Sequence, residues 1–191
     1  PYIVAQYAVI EACAKTVSVG ASPLALTDCL CFGNPERPEQ MWQFSQSCVA
    51  IRETCSLLHF NGTNNLPIVA GNVSFYNQSG DQSIPASPMI GCFGKVVKDK
   101  VLMNGFKSSD TNLYLLGETP AFIGGSMAAS VLNIKNTEVK KIDVQKYSKA
   151  LNCVLKANSF SLINSCNYAG LGGLATTLFK MSFVNNIGCI I

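Results

Sequence analysis

Gly20-Ala21-Ser22-Pro23-Leu24-Ala25-Leu26-Thr27-Asp28-Cys29-Leu30-Cys31-Phe32-Gly33-Asn34-Pro35-Glu36 is an apolar run with the carboxylate of Asp28 inside it, closed by a turn signal and Glu36. Residues 23–32 read as a buried strand. Leu24, Leu26, Leu30 and Phe32 fall at even positions and so share one face. Gly33-Asn34-Pro35 ends the strand. Before it, Ile3, Tyr7, Ile10 and Ala14 recur at spacings of three and four, which predicts a helix over 3–19 that stops at Gly20. After it, residues 38–59 predict the clearest helix, with Met41, Phe44, Cys48, Ile51, Cys55 and Leu58 as its stripe. Pro38 suits a first turn, and Glu39 complements the positive end of the helix dipole.

Further along, residues 61–65 read as a polar loop, 66–76 as a strand interrupted at Gly71-Asn72, 78–81 as a turn and 89–97 as a strand. The polar, basic stretch 98–110 marks a plausible boundary between a β-rich unit over 1–97 and an α/β unit over 98–191. Beyond it, strands are predicted at 111–116, 160–165 and 187–191, with Gly117-Glu118-Thr119-Pro120 as a turn. Helices are predicted to open at Gly124-Gly125-Ser126, at an Asp143 cap with an end near Ala157, and at Gly172-Gly173 with an end near Phe183. The alternation gives a mixed α/β or α+β class.

Only 13% of residues are charged, against about 25% in a typical soluble domain. No apolar run approaches the ~20 residues that span a bilayer, so no membrane role is expected. The surface is expected to be covered by neighbouring protein instead, including a possible homo-oligomer. Opening on Pro1 and closing on Gly188-Cys189-Ile190-Ile191 lead to the same expectation of a fragment or a subunit with large interfaces. The fourteen Lys and Arg are scattered and the net charge is +3, so no nucleic-acid stripe is expected.

Nine cysteines, an odd number, cannot all pair internally. Most lie in apolar segments, as small core residues do. Structural zinc usually needs four thiolate or imidazole ligands in tight pairs; Cys29-x-Cys31 lacks a second pair and His59 is the only histidine, so no metal site is expected at the cysteines. Reduced thiols in a cytoplasmic protein are the expectation. Three glycosylation sequons occur, at Asn61, Asn72 and Asn77, and secretion is not expected.

Two stretches could carry chemistry. Asp28 in an apolar strand is costly unless paired, hydrogen-bonded or bound to a cation. It suits a Mg-nucleotide site, or it caps a neighbouring amide, and spacing does not separate the two. Glycine at 71 allows close approach of a ligand or another backbone. Asn72 and Ser74 put an amide oxygen and a hydroxyl on one strand face, although spacing alone favours a β-bulge there. The Gly124-Gly125 and Gly172-Gly173 helix starts are weak phosphate signals.

Pro1-Tyr2-Ile3, Ala8-Val9-Ile10-Glu11-Ala12, the 20–30 stretch, Phe32-Gly33-Asn34-Pro35-Glu36, Gly71-Asn72-Val73-Ser74-Phe75-Tyr76-Asn77 and Pro85-Ala86-Ser87-Pro88 together resemble phosphoribosylformylglycinamidine synthase. Leu115-Leu116-Gly117-Glu118-Thr119 and Gly124-Gly125-Ser126 resemble its next domain. The likeness is to the second half of the synthetase part, a fold related to aminoimidazole ribonucleotide synthetase. It implies an ATP-dependent ligase of purine biosynthesis, in which ATP phosphorylates the substrate amide oxygen and ammonia displaces the phosphate. By matching position it implies that Asp28 and Gly71 contact ATP, that Asn72 holds Mg²⁺ and that Ser74 touches substrate. It also implies the first half of the synthetase and a glutaminase as partners.

Departures are local. The family usually has Asn at the position of Cys31. Its Ser-Ala-His-Asp-x-Ser-Glu-Gly-Gly-Leu is here Ser165 to Leu174, with Asn167, Tyr168 and Leu171 at its His, Asp and acidic positions. No role is carried onto those three, and no catalytic residue is expected in this chain. A non-catalytic scaffold half, or a related aminoimidazole ribonucleotide or selenophosphate synthetase, are the alternative readings.

Overall fold

A computed structural model describes residues 1–191 except Asn61, Thr63, Asn64, 120–122 and 135–137. The sequon at Asn61, most of the 61–65 loop and the Pro120 end of the 117–120 turn lie outside the described residues. The order is α1 (Tyr2–Ser18), β1 (Ala21–Cys31), α2 (Pro38–Leu57), β2 (Ile68–Ser74), β3 (Gln78–Ser79), β4 (Gln82–Ser83), β5 (Ser87–Val96), α3 (Met127–Val131), α4 (Val144–Ser159) and α5 (Gly173–Asn185). The class is mixed α and β, as expected.

β1 lies between β2, which runs parallel to it, and β5, which runs antiparallel. α2 is the crossover from β1 to β2. The core joins α1 (Val9, Ile10, Cys13, Val17), β1 (Leu26, Leu30), α2 (Ala50, Ile51) and Phe32, with Leu151 of α4 at its edge. Phe44 of α2 meets Phe32 and Phe75 edge-on, at centroid distances of 5.4 and 5.0 Å. Such pairs contribute about 0.5–1.5 kcal/mol beyond area burial. This is where the Phe32-to-Glu36 and Gly71-to-Asn77 motifs meet.

Gly20 ends α1 with φ +85°, and its N–H donates to Val17 O at 2.8 Å. A Cβ there would lie 2.2 Å from Lys100 O, so glycine is needed both for conformation and for space. The stretch after β5 is therefore tied back against α1. Asn158 Nδ2 donates to Lys100 O at 2.7 Å, and Leu102 N donates to Val19 O. The caps behave as read. Asp143 accepts from Lys146 N at 3.0 Å, and Ser126 accepts from Ala129 N at 3.1 Å.

Four details differ from the sequence reading. Leu24 is 50% exposed, because the β1–β5 register slips between Pro23 and Ala25 and turns it off the Leu26–Leu30 face. Met41 at the start of the α2 stripe is also exposed. The irregularity in β2 falls between the Leu26–Ile68 and Thr27–Ala70 pairs, while Gly71 to Ser74 pair regularly with Asp28 to Cys31. Finally, residues 111–116, 160–165 and 187–191 are not strands; the single bridge there joins Met103 to Ser165. A strand needs a ladder partner, and no described strand runs beside these segments. Their side chains stay open, with Tyr114 77% and Ile190 101% exposed.

Among the described residues no helix is long and apolar enough to cross a membrane. All nine cysteines are unpaired.

Candidate functional site

The β1–β2 ladder builds the site. Period two puts Leu26, Asp28 and Leu30 on the face of β1 turned toward the helices. Asp28 thus stands between two leucines that are 0% and 4% exposed. Its pKa is raised by desolvation, and the Asn72 backbone N–H donated to the carboxylate pulls it partly back.

Gly71 is the register partner of Asp28. A Cβ on Gly71 would lie 2.3 Å from Asp28 Oδ1. Gly71 has no positive φ, so its lack of a side chain serves this one close approach. The glycine makes room for the carboxylate and needs no bulge.

Asp28 opens onto a cleft of about 370 Å³ between the sheet edge and α2, walled by Leu30, Ile51, Leu66 and Ile68, with Cys48, Cys55 and Arg52 beside them. Burial pushes the Cys55 thiol up to about 11, and the Asp28 carboxylate adds in the same direction. The Arg52 side chain is 77% exposed at the rim. The slot combines aliphatic walls with the half-buried Asp28 carboxylate, the polar Ser56 and Asn65 and a cation at its mouth.

Asn72 and Ser74 point to the opposite, outer face of the sheet. Their register partners there are Cys29 and Cys31. Asn72 Nδ2 donates to Cys29 Sγ at 3.7 Å, which leaves its Oδ1 turned away from the sulfur. Ser74 Oγ accepts from Asn77 Nδ2 at 3.0 Å. The same amide also donates to Ser74 O at 2.9 Å and to Phe32 O at 3.0 Å. The four expected residues are therefore neighbours in one ladder, split two and two between its faces.

Asn77 was missed as a site residue. It braces Ser74 and clamps the end of β2 to the end of β1 in a single set of bonds. Its only local signal was its place at the end of the Gly71-to-Asn77 motif. With its amide so engaged and half-buried, its sequon has a structural use.

The outer face offers one amide oxygen and one hydroxyl. Among the described residues no group of three or more His, Cys, Asp or Glu gathers anywhere. Mg²⁺ is commonly held by one or two protein oxygens plus phosphates and water. Asn72 fits as one contributor to such a set and cannot form one alone.

Residues 165–174 do structural work. Burial pushes Tyr168 up to about 12, with Glu11, Tyr147 and Tyr7 acting in the same direction. Asn167 Nδ2 reaches Asn104 O at 3.5 Å. The Tyr168 ring packs against the core beside Tyr7 and Glu11 of α1.

Comparison with known proteins gives the following. The family described as AIR synthase related protein, N-terminal domain, matches residues 1–96. Phosphoribosylformylglycinamidine synthase subunit PurL of Campylobacter lari is 41% identical over 190 residues, which is 98% of this chain and 25% of that protein. The subunit of the same name from Sulfurimonas denitrificans is 39% identical over 184 residues, covering 95% of this chain and 24% of its own length. Among solved structures, T. maritima PurL complexed with ATP is 35% identical, covers 53% of this chain and 16% of its own, and superposes with a TM-score of 0.46. The chain thus spans about a quarter of the length of the curated relatives it matches.

Proposed function

This chain belongs to the AIR synthase related protein family, and from that premise we propose that it is part of an ATP-dependent ligase of purine biosynthesis that converts formylglycinamide ribonucleotide to formylglycinamidine ribonucleotide with glutamine-derived ammonia. The relatives carry the name of that synthase at about 40% identity over nearly all of this chain. The observation that carries the site assignment is the Asp28 carboxylate lining a largely apolar cleft, with room for it kept by Gly71 on the paired strand.

In this reading Asp28 accepts a hydrogen bond from the base of ATP, between the aliphatic walls, and Gly71 keeps the space above the carboxylate clear. Arg52 at the rim offers charge to phosphate. On the outer face, Asn72 Oδ1 supplies one oxygen to a Mg²⁺ shared with phosphates, and the Ser74 hydroxyl, held by Asn77, contacts the substrate. When bound, Mg²⁺ neutralises phosphate charge. The residues of this chain bind and orient, and none supplies a general acid or base.

The rest of the synthetase and a glutaminase are the proposed partners, and the cytoplasm the proposed location. Large apolar side chains left open support a covering partner. Met89 and Phe93 on β5 are 51% and 58% exposed, and Phe179 and Phe183 on α5 are 67% and 77% exposed. Exposed apolar side chains grouped on one face, as with the stacked Phe179 and Phe183 rings 6.0 Å apart, mark interaction sites. The packed Tyr168 favours a purely structural role for 165–174, confined to that segment.

The reading is tested by Mg-ATP affinity in the complete synthetase. Asp28→Ala and Asn72→Ala should each weaken binding by about tenfold or more, the worth of one lost charged or polar contact. Asn167→Ala should leave it unchanged. Weakening by Asn167→Ala alone would overturn the assignment.

A further inference from the structure

The outer face of β1 carries a feature that the proposed ligase chemistry does not use. Cys29 and Cys31 are two apart in a regular strand, so both side chains leave the same face. Their sulfurs lie 3.8 Å apart, one thiol donating to the other. Neither is fully buried or in a disulfide. Met89 is the β5 register partner of Cys29 and is 51% exposed. Directly paired residues share a face with Cβ atoms about 4.5–5.5 Å apart, so the Met89 side chain leaves the sheet beside Cys29, within reach of the dithiol.

We propose that Cys29 and Cys31, with Met89 as a third sulfur donor, form a binding site for one soft monovalent cation of the Cu⁺ type. Metal–sulfur bonds of ~2.3 Å place two thiolates about 3.8 Å apart at a tetrahedral angle and about 4.0 Å apart at a trigonal one. The strand already holds the pair at that bite. Thiolate and thioether donors select soft ions, and Cu⁺ is content with two or three of them. Zn²⁺ would need a fuller set, and among the described residues no third His, Cys, Asp or Glu joins this pair.

Binding breaks two S–H bonds, forms two thiolate–Cu bonds and one thioether–Cu bond, and releases the chelator that delivered the ion. Both protons pass to solvent, and no electron moves. The Asn72 amide donates to Cys29 Sγ at 3.7 Å, and the thiolate formed on metal binding still has lone pairs to accept it. The site therefore adjoins the proposed Mg²⁺ contributor; this link, unlike the binding itself, rests on the function proposed above.

The test is an anaerobic titration of the protein with Cu⁺ against a chromophoric Cu⁺ chelator. The unaltered protein should take up one equivalent in competition. Losing a ligand should cost more than the ~10–100-fold that loss of an outer-shell partner costs, so Cys29→Ser/Cys31→Ser should lose the uptake. Cys31→Asn, which restores the residue the family usually has, should lose it while remaining folded. Cys153→Ser/Cys189→Ser, at two exposed cysteines, should keep it. No uptake by the unaltered protein, or uptake that survives Cys29→Ser/Cys31→Ser or Cys31→Asn, overturns the proposal. Because the readout is metal uptake, its failure leaves the ATP-site reading standing, and the reverse holds as well.

Discussion

Supplied with ATP, Mg²⁺, formylglycinamide ribonucleotide and ammonium chloride, this chain alone should form no formylglycinamidine ribonucleotide above background. Ammonium chloride removes the need for a glutaminase, so the assay isolates the synthetase step. The expectation rests on what the site contains. The cleft presents one carboxylate, an arginine at the rim and apolar walls. The outer face presents an amide and a hydroxyl. In the proposed arrangement the Asp28 carboxylate is engaged by the nucleotide and the outer face has no acid or base, so proton transfer to or from an attacking ammonia, which contributes typically ~10²–10⁴-fold, falls to the rest of the enzyme. Substrate positioning shared with the other three quarters of a relative-sized enzyme adds several further orders of magnitude. Product formation is measured by liquid chromatography, with the full-length Campylobacter lari relative as the positive control. A rate comparable to that control would show the active site to be complete within these residues.

The second large effect is a change of sign at Gly71. A strand alanine is ordinarily better than glycine by about 0.5–1 kcal/mol. Here a Cβ would sit 2.3 Å from Asp28 Oδ1, closer than real Cβ contacts come. Asp28 can move only by turning into the cleft and giving up the hydrogen bond from the Asn72 N–H. Gly71→Ala should therefore destabilise the protein by about 1–3 kcal/mol, as overpacking does. In an Asp28→Ala background the same change should be neutral or stabilising. The double-mutant cycle, read by urea unfolding, should return a coupling of about 1–3 kcal/mol. Additive changes would mean that Gly71 answers to something other than Asp28.

The regular part of this architecture was legible in the sequence because each element carries its own signal. The three-and-four spacing of α1, the proline and glutamate at the start of α2 and the Asp143 cap of α4 are local, and each element appears where those signals placed it. What failed depended on neighbours. Apolar runs at 111–116, 160–165 and 187–191 look like strands, but a run of side chains does not state whether another strand lies alongside. Leu24 was assigned by strict alternation, and one slip of register against β5 moved it to the other face.

The site divides in the same way. Asp28, Gly71, Asn72 and Ser74 stood out by resemblance, since spacing alone left Asp28 undecided and favoured a bulge at Gly71. Their partition between faces follows from period two, because adjacent residues of one strand point opposite ways. The reason for Gly71 was invisible without the ladder: it is set by a residue 43 positions earlier, through the Asp28–Gly71 pairing. Asn77 was hidden for the same reason, as its bonds to Phe32 O and Ser74 exist only once β1 and β2 are paired.

The central claim is that nucleotide occupies the cleft between β1 and α2, and Cys48 reports on it directly. Its thiol lines that cleft beside Asp28, with its pKa raised by burial and by the Asp28 carboxylate. Cys153 is exposed on α4, away from the cleft lining, and serves as the internal reference. The measurement is the alkylation rate of each cysteine in the complete synthetase, resolved by peptide mass spectrometry with and without saturating Mg-ATP. The account predicts that Mg-ATP slows Cys48 by about tenfold or more, as expected for a thiol in a pocket that buries most of its ligand, and leaves Cys153 unchanged. Equal Cys48 rates with and without bound nucleotide would contradict it.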